Sequence, residues 1–237
     1  MFYWNQENFV GLKEVGEKLV DIEGYQFFAN YCLLKEKGLK KQALISLEKF
    51  IAEIRSKNIE EQRSMVAQLA ALSYFNKSIH QLIPHPLHQF LLVILKDWAM
   101  EGVIDITPYR WYGYFSNDLS SYEKALEIES TDEISLIELT NACLSNVDYQ
   151  THHLSESLFI GNIGDANQSL KKAYSYVEKL MDGNRKATLN EEIQYFTRLI
   201  SMWEQYKSEK REMTFPEWCN TKREKFNFWN IIYYKNK

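Results

Sequence analysis

Apolar residues recur along this chain at intervals of three and four almost from end to end, the pattern of amphipathic helices rather than strands. Phe9, Leu12, Val15, Leu19 and Ile22 line a first helix that Gly24 ends, and Tyr25, Phe28, Tyr31 and Leu34 line a second. Gly38 closes the second helix at the position favoured for a left-handed cap. Ala43, Leu47, Phe50, Ile51 and Ile54 give a third, ending in Arg55-Ser-Lys-Asn58. The fourth opens at Ile59 with Glu60-Glu61 near its positive end and is expected to bury Met65, Leu69, Leu72 and Phe75.

Pro84 and Pro86 interrupt the pattern and mark a sub-boundary within what otherwise reads as one domain over residues 1–237. Beyond them Leu87, Phe90, Leu91, Ile94, Leu95 and Trp98 form a stripe, and Leu92 and Val93 fall outside it. That predicts a helix with neighbours on more than one side. Gly102 ends it, and 103–106 reads as a connector. Pro108 suits the first turn of a short helix reaching about Phe115. Asn117-Asp118 then caps a helix with Tyr122, Ala125, Leu126 and Ile128. Ser130-Thr131-Asp132 starts another, burying Leu136, Leu139 and Cys143, before periodicity vanishes between Val147 and Gly164. Asp165 is expected to cap the next helix (Leu170, Ala173, Tyr174, Val177, Leu180). After Gly183-Asn184 comes a long helix with Leu189, Ile193, Phe196, Ile200 and Trp203. A segment from 213 to 237 closes the chain, with Phe226, Trp229 and Tyr233 at helical spacing.

Short helices in pairs suggest a helical repeat. Gly38 precedes Ala43 by the spacing of the inter-helix turn in tetratricopeptide repeats, and Leu47 and Phe50 follow on the second helix. Trp111-Tyr-Gly113 and Lys124-Ala-Leu-Glu-Ile-Glu129 are similar to the two ends of that repeat. They stand closer together than a unit of about 34 residues requires. Ile134 to Tyr149 resembles a further first helix, with Asn146-Val-Asp-Tyr149 as its exit turn and an insertion delaying its partner to Asp165. The resemblance covers about half the chain. It implies an all-α, irregular tetratricopeptide-like superhelix, an α-α solenoid of about ten helices, whose use is protein–protein interaction. Asp148 to Gly164 is also similar to a segment of uncharacterised bacterial proteins, which carries over no activity.

Composition adds limits. Nine Gly and four Pro in 237 residues are too few for the turns of an all-β fold. The net charge of −4 gives no global field for nucleic acid or anionic lipid. Residues 207–237 carry 8 Lys/Arg against 4 Asp/Glu, which leaves an acidic body suited to a basic protein partner. Three widely spaced cysteines and no hydrophobic leader point to the cytoplasm. The longest apolar run, Phe90 to Leu95, is far short of the roughly 20 residues of a membrane span, so no membrane role is expected.

Candidate chemistry centres on His152 and His153, with the Asp148 carboxylate close in sequence. Imidazole and carboxylate together suit a zinc site or a hydrolase proton relay. Consecutive side chains diverge, however, so adjacent histidines make a poor ligand pair. Hydrogen bonding at a helix end is the preferred role, as it is for His85 and His88. Ile160-Gly-Asn-Ile-Gly164 lacks the lysine and hydroxyl of a phosphate-cradling loop, and Asp165 would repel phosphate. No cofactor is expected. The basic tail with Phe226, Phe228, Trp229, Tyr233 and Tyr234 has the elements of a base-stacking surface, but its spacing favours packing. Tyr109, Arg110, Trp111, Tyr112 and Tyr114 cannot all be buried on so short a helix. Their residue types are those enriched at interface hot spots, which makes them the candidate binding residues.

Overall fold

The computed structural model describes residues 6–209 and 212–228, and these are all-helical, with eleven α-helices and no strand among them. The chain divides into two compact units, Met1–Ile128 and Glu129–Lys237. Pro84 and Pro86 lie inside the first unit, where Pro84 precedes a helix and Pro86 occupies its first turn.

The first unit holds α1 (Gln6–Leu19), α2 (Gln26–Glu36), α3 (Lys40–Arg55), α4 (Ile59–Phe75), α5 (His85–Met100), α6 (Ile106–Ser116) and α7 (Leu119–Ile128). Each of α1/α2, α2/α3, α5/α6 and α6/α7 packs extensively, while α4 lies against α3, α5 and α6. The turns explain the pairing. Gly38 takes the expected left-handed backbone (φ 75°), so α2 stops and reverses into α3 within residues 37–39. Asn58 makes a capping box with Glu61: its side chain accepts the Glu61 N–H at 3.0 Å, and the Glu61 carboxylate accepts the Asn58 N–H.

Small residues set how close the helices come. A Cβ on Gly16 would lie 2.7 Å from Leu33 Cγ, and one on Gly113 would lie 3.1 Å from the Tyr122 ring. The glycines therefore let α1 close on α2 and α6 on α7. Aromatic rings fill the α2/α3 layer. Phe28 stacks on Phe50 at 5.1 Å and on Tyr31 at 5.9 Å, and all three are buried. The Tyr31 hydroxyl donates to the Gln81 carbonyl at 2.6 Å, and Tyr25 donates to Gln68 Oε1 at 2.7 Å, so neither buried phenol is left unsatisfied.

The second unit holds α8 (Glu133–Thr151), α9 (Ile163–Val177), α10 (Gly183–Ser208) and α11 (Phe215–Thr221). α9 packs on α8 and α10, α10 also touches α8, and α11 lies on α10. Buried Asp132 caps α8, accepting the Ser135 N–H at 3.0 Å and the Ser135 hydroxyl at 2.6 Å. Phe215, Trp218, Trp203 and Tyr206 form an aromatic cluster where α11 meets α10.

Several expectations need correcting. α8 continues through Asn146–Tyr149 to Thr151, so no exit turn occurs there and the irregular stretch shrinks to 152–162. Val147, Gln150 and Thr151 supply the buried face of that extra turn, a face whose polar members hide its period. Asn162, not Asp165, caps α9, its side chain accepting the Gly164 N–H. Gly183 opens α10 behind the Asp182 cap. α5 does have neighbours on more than one side, α3, α4 and α6, although Val93 itself is 59% exposed. Residues 224–228 are not helical; Phe226 meets the Tyr195 ring and Phe228 the Phe215 ring. Trp229, Tyr233 and Tyr234 lie outside the described residues. No helix of the described residues is long and apolar enough to cross a membrane.

Phe28→Ala removes a fully buried ring from the Phe50–Tyr31 stack, so urea unfolding should show a loss of about 3–5 kcal/mol.

Candidate binding surface

α6 begins where the Asp105 carboxylate accepts the Thr107 N–H at 2.9 Å and ends at Asn117 in the left-handed conformation (φ 56°). Asp118 then starts the turn into α7. Hydrogen bonds from Ser121 and Ser120 hold its carboxyl below the usual range. The helix is thus fixed at both ends, and its five candidate residues divide by face.

Tyr109 and Trp111 are 8% and 4% exposed and belong to the core; the Tyr109 hydroxyl reaches the Val103 carbonyl at 3.4 Å. Arg110, Tyr112 and Tyr114 are half-buried. The Arg110 guanidinium lies 5.6 Å from the Trp111 ring centre. Tyr114 meets the Tyr74 ring edge-on at 5.4 Å and hydrogen-bonds Ser73 Oγ at 3.2 Å.

The last turn of α4 completes the surface. Tyr74 packs against Trp111 as well as Tyr114, while its neighbour Phe75 is 72% exposed and edge-on to Tyr74 at 5.3 Å. The Lys77 ammonium sits 4.0 Å over the Tyr74 ring and 5.8 Å from that of Tyr114. A cavity of about 300 Å³ opens beside them, lined by Ser73, Lys77, His88 and Tyr114 among others. His88 Nε2 lies 3.1 Å from the Phe115 carbonyl, so this imidazole is tied to the end of α6. Residues 74, 75 and 77 were missed in the sequence because Phe75 continues the stripe of α4. The signal was the Asn76 that ends the helix there, which leaves the preceding ring at a free edge.

The histidine loop is held by local hydrogen bonds. His152 caps α8 with Nδ1 2.6 Å from the Tyr149 carbonyl, and His153 Nδ1 lies 3.0 Å from Glu156 Oε1. Residues Leu154–Glu156 make one 3-10 turn whose Leu154 is buried. Ser157 Oγ accepts the Phe215 N–H at 2.7 Å and so ties the loop to the start of α11. Asp148 lines a groove with Ser145, Glu192 and Phe196. Among the described residues no group of three or more His, Cys, Asp or Glu side chains is placed to hold a metal ion.

Burial pushes the Cys32 thiol up to about 12 and that of Cys219 to about 11, which keeps both in the unreactive thiol form at neutral pH. Comparisons with family models, curated proteins and solved structures return no match to the chain.

Tyr114→Phe deletes the bond to Ser73 and should cost about 0.5–1.5 kcal/mol, whereas Phe75→Ala should change stability by no more than about 0.5 kcal/mol. Chemical denaturation of the two variants measures both.

Proposed function

We propose that the chain is a non-enzymatic protein–protein interaction module. In this reading its helix pairs are degenerate units of an irregular tetratricopeptide-like superhelix, and it works in the cytoplasm without a cofactor as an adaptor or toxin-neutralising protein. The observation that carries the reading is the exposed aromatic edge of Phe75, with Tyr74, Tyr114 and the Lys77 ammonium packed behind it and a cavity alongside. Rigid rings at the surface bury large area on binding at little cost in side-chain entropy. These rings are already held by one another, so less ordering remains for a partner to impose.

The partner is another protein. Its apolar anchor enters beside Phe75 and Tyr114, and its basic segments face the acidic body, where 28 Asp/Glu oppose 20 Lys/Arg outside residues 207–237. Arg110 and Tyr112 extend the contact along α6.

Affinity purification of Phe75→Ala/Arg110→Ala beside the unchanged chain tests this. One or a few proteins should co-purify stoichiometrically with the unchanged chain, and the variant, folded normally by circular dichroism, should lose them by about tenfold or more. Equal recovery by both, or recovery of nothing by either, would overturn the proposal.

A further inference from the structure

A second and larger cavity in the first unit, about 650 Å³, lies where the end of α2, the start of α3, α1 and the segment before α5 meet. Its size falls within the roughly 300–1,000 Å³ typical of small-molecule sites. Phe9, Tyr31 and Ile83 give it an apolar wall, and the Tyr31 hydroxyl is engaged by the Gln81 carbonyl. Its charged groups are of one kind. Lys35 and Lys40 both line it, with His80 and His85, and none of its lining residues among the described ones is acidic.

This is an odd arrangement for a chain with 32 Asp and Glu residues, because nothing among the described residues neutralises either lysine: neither makes an ion pair there. Lys35 is half-buried, and its ammonium is held below its usual value by that burial and then by the charge of Lys40. Lys40 is also poorly placed for its own helix. It opens α3, whose first turn carries no carboxylate and receives no side-chain cap, and a cation there opposes the helix dipole. Two like charges therefore line one cavity beside an apolar wall, Lys35 half-buried and Lys40 exposed, and neither is ion-paired among the described residues. A bound anion would compensate both at once, and the adjacent wall would accept an apolar body attached to it.

We propose that this cavity binds an amphipathic organic anion, with a carboxylate or phosphate head between the Lys35 and Lys40 ammonium groups and an apolar chain or ring against Phe9, Tyr31 and Ile83. The head makes charge-assisted hydrogen bonds to the two amines. The body buries apolar surface of the cavity wall. The site is independent of the Phe75 edge and stands whether or not that edge binds a protein.

Isothermal titration of the full chain with octyl phosphate, with decanoate and with octyltrimethylammonium tests it. At least one anion should bind saturably at one per chain, and the cation should not. Binding of octyl phosphate alone assigns a phosphate head, of decanoate alone a carboxylate head, and of both a site that reads charge only. Lys35→Met/Lys40→Met keeps the apolar stems and removes the charges. It should weaken the anion by about tenfold or more, while Lys171→Met on the exposed face of α9 should leave affinity unchanged. Melting curves confirm that the double variant is folded. The proposal is overturned if neither anion binds, if the cation binds as well as the anions, or if the folded double variant binds as tightly as the unchanged chain.

Discussion

Turns of two or three residues set the α2/α3 and α6/α7 pairs of the first unit, because a helix that reverses so quickly can bury its apolar stripe on the next helix in the chain. Residues 37–39 and 117–118 are those turns, fixed by a left-handed Gly38 and by a left-handed Asn117 followed by Asp118, whereas the Asn58 capping box at 56–58 starts an α4 that leans only lightly on α3. Once the partners are set, glycine decides how close they come. Gly16 and Gly113 admit Leu33 and Tyr122 where any side chain would collide or crowd, and the aromatic layers form around those approaches.

The same constraint produces the candidate surface. α6 is only eleven residues long and is gripped on both sides by α5 and α7, so Tyr109 and Trp111 are drawn into the core and their neighbours are left at the rim. α4 ends at Asn76 just where that rim begins. Phe75 consequently has no helix to lie against, and its exposure follows from where α4 stops rather than from a weak stripe. A ring held in place on one side and open on the other suits recognition better than packing.

Much of the fold was legible in the sequence because spacing by threes and fours survives wherever one face is buried and the other is wet. Helices α2, α3 and α5 follow their stripes closely, with Gly38 and Pro84-Pro86 as punctuation. The stripe failed where polar residues are buried. Gln150 and Thr151 lie on the inner face of α8, so its apolar stripe stops one turn before the helix does. It also failed where an apolar residue is exposed, as Val93 and Phe75 are, because periodicity cannot tell a covered face from one whose neighbour is missing. The site was half legible. The aromatic density of residues 109–114 was visible, but its division into core and rim depends on α4 and α7, and Tyr74, Phe75 and Lys77 come to it only through the tertiary fold. Lys35 and Lys40 were ordinary surface residues in the sequence, and only the α2–α3 reversal and the segment before α5 make them two walls of one cavity.

In the proposed function the Phe75 edge of the first unit contacts a partner protein. Site-directed photocrosslinking tests it most directly, with a benzophenone amino acid in place of Phe75 and, as reference, in place of Phe27, an exposed ring on α2 away from this surface. Irradiation in cells should give one discrete crosslinked species from the substituted Phe75 position and none of that size from the Phe27 position. The same faint bands from both positions, or none from either, would contradict the claim.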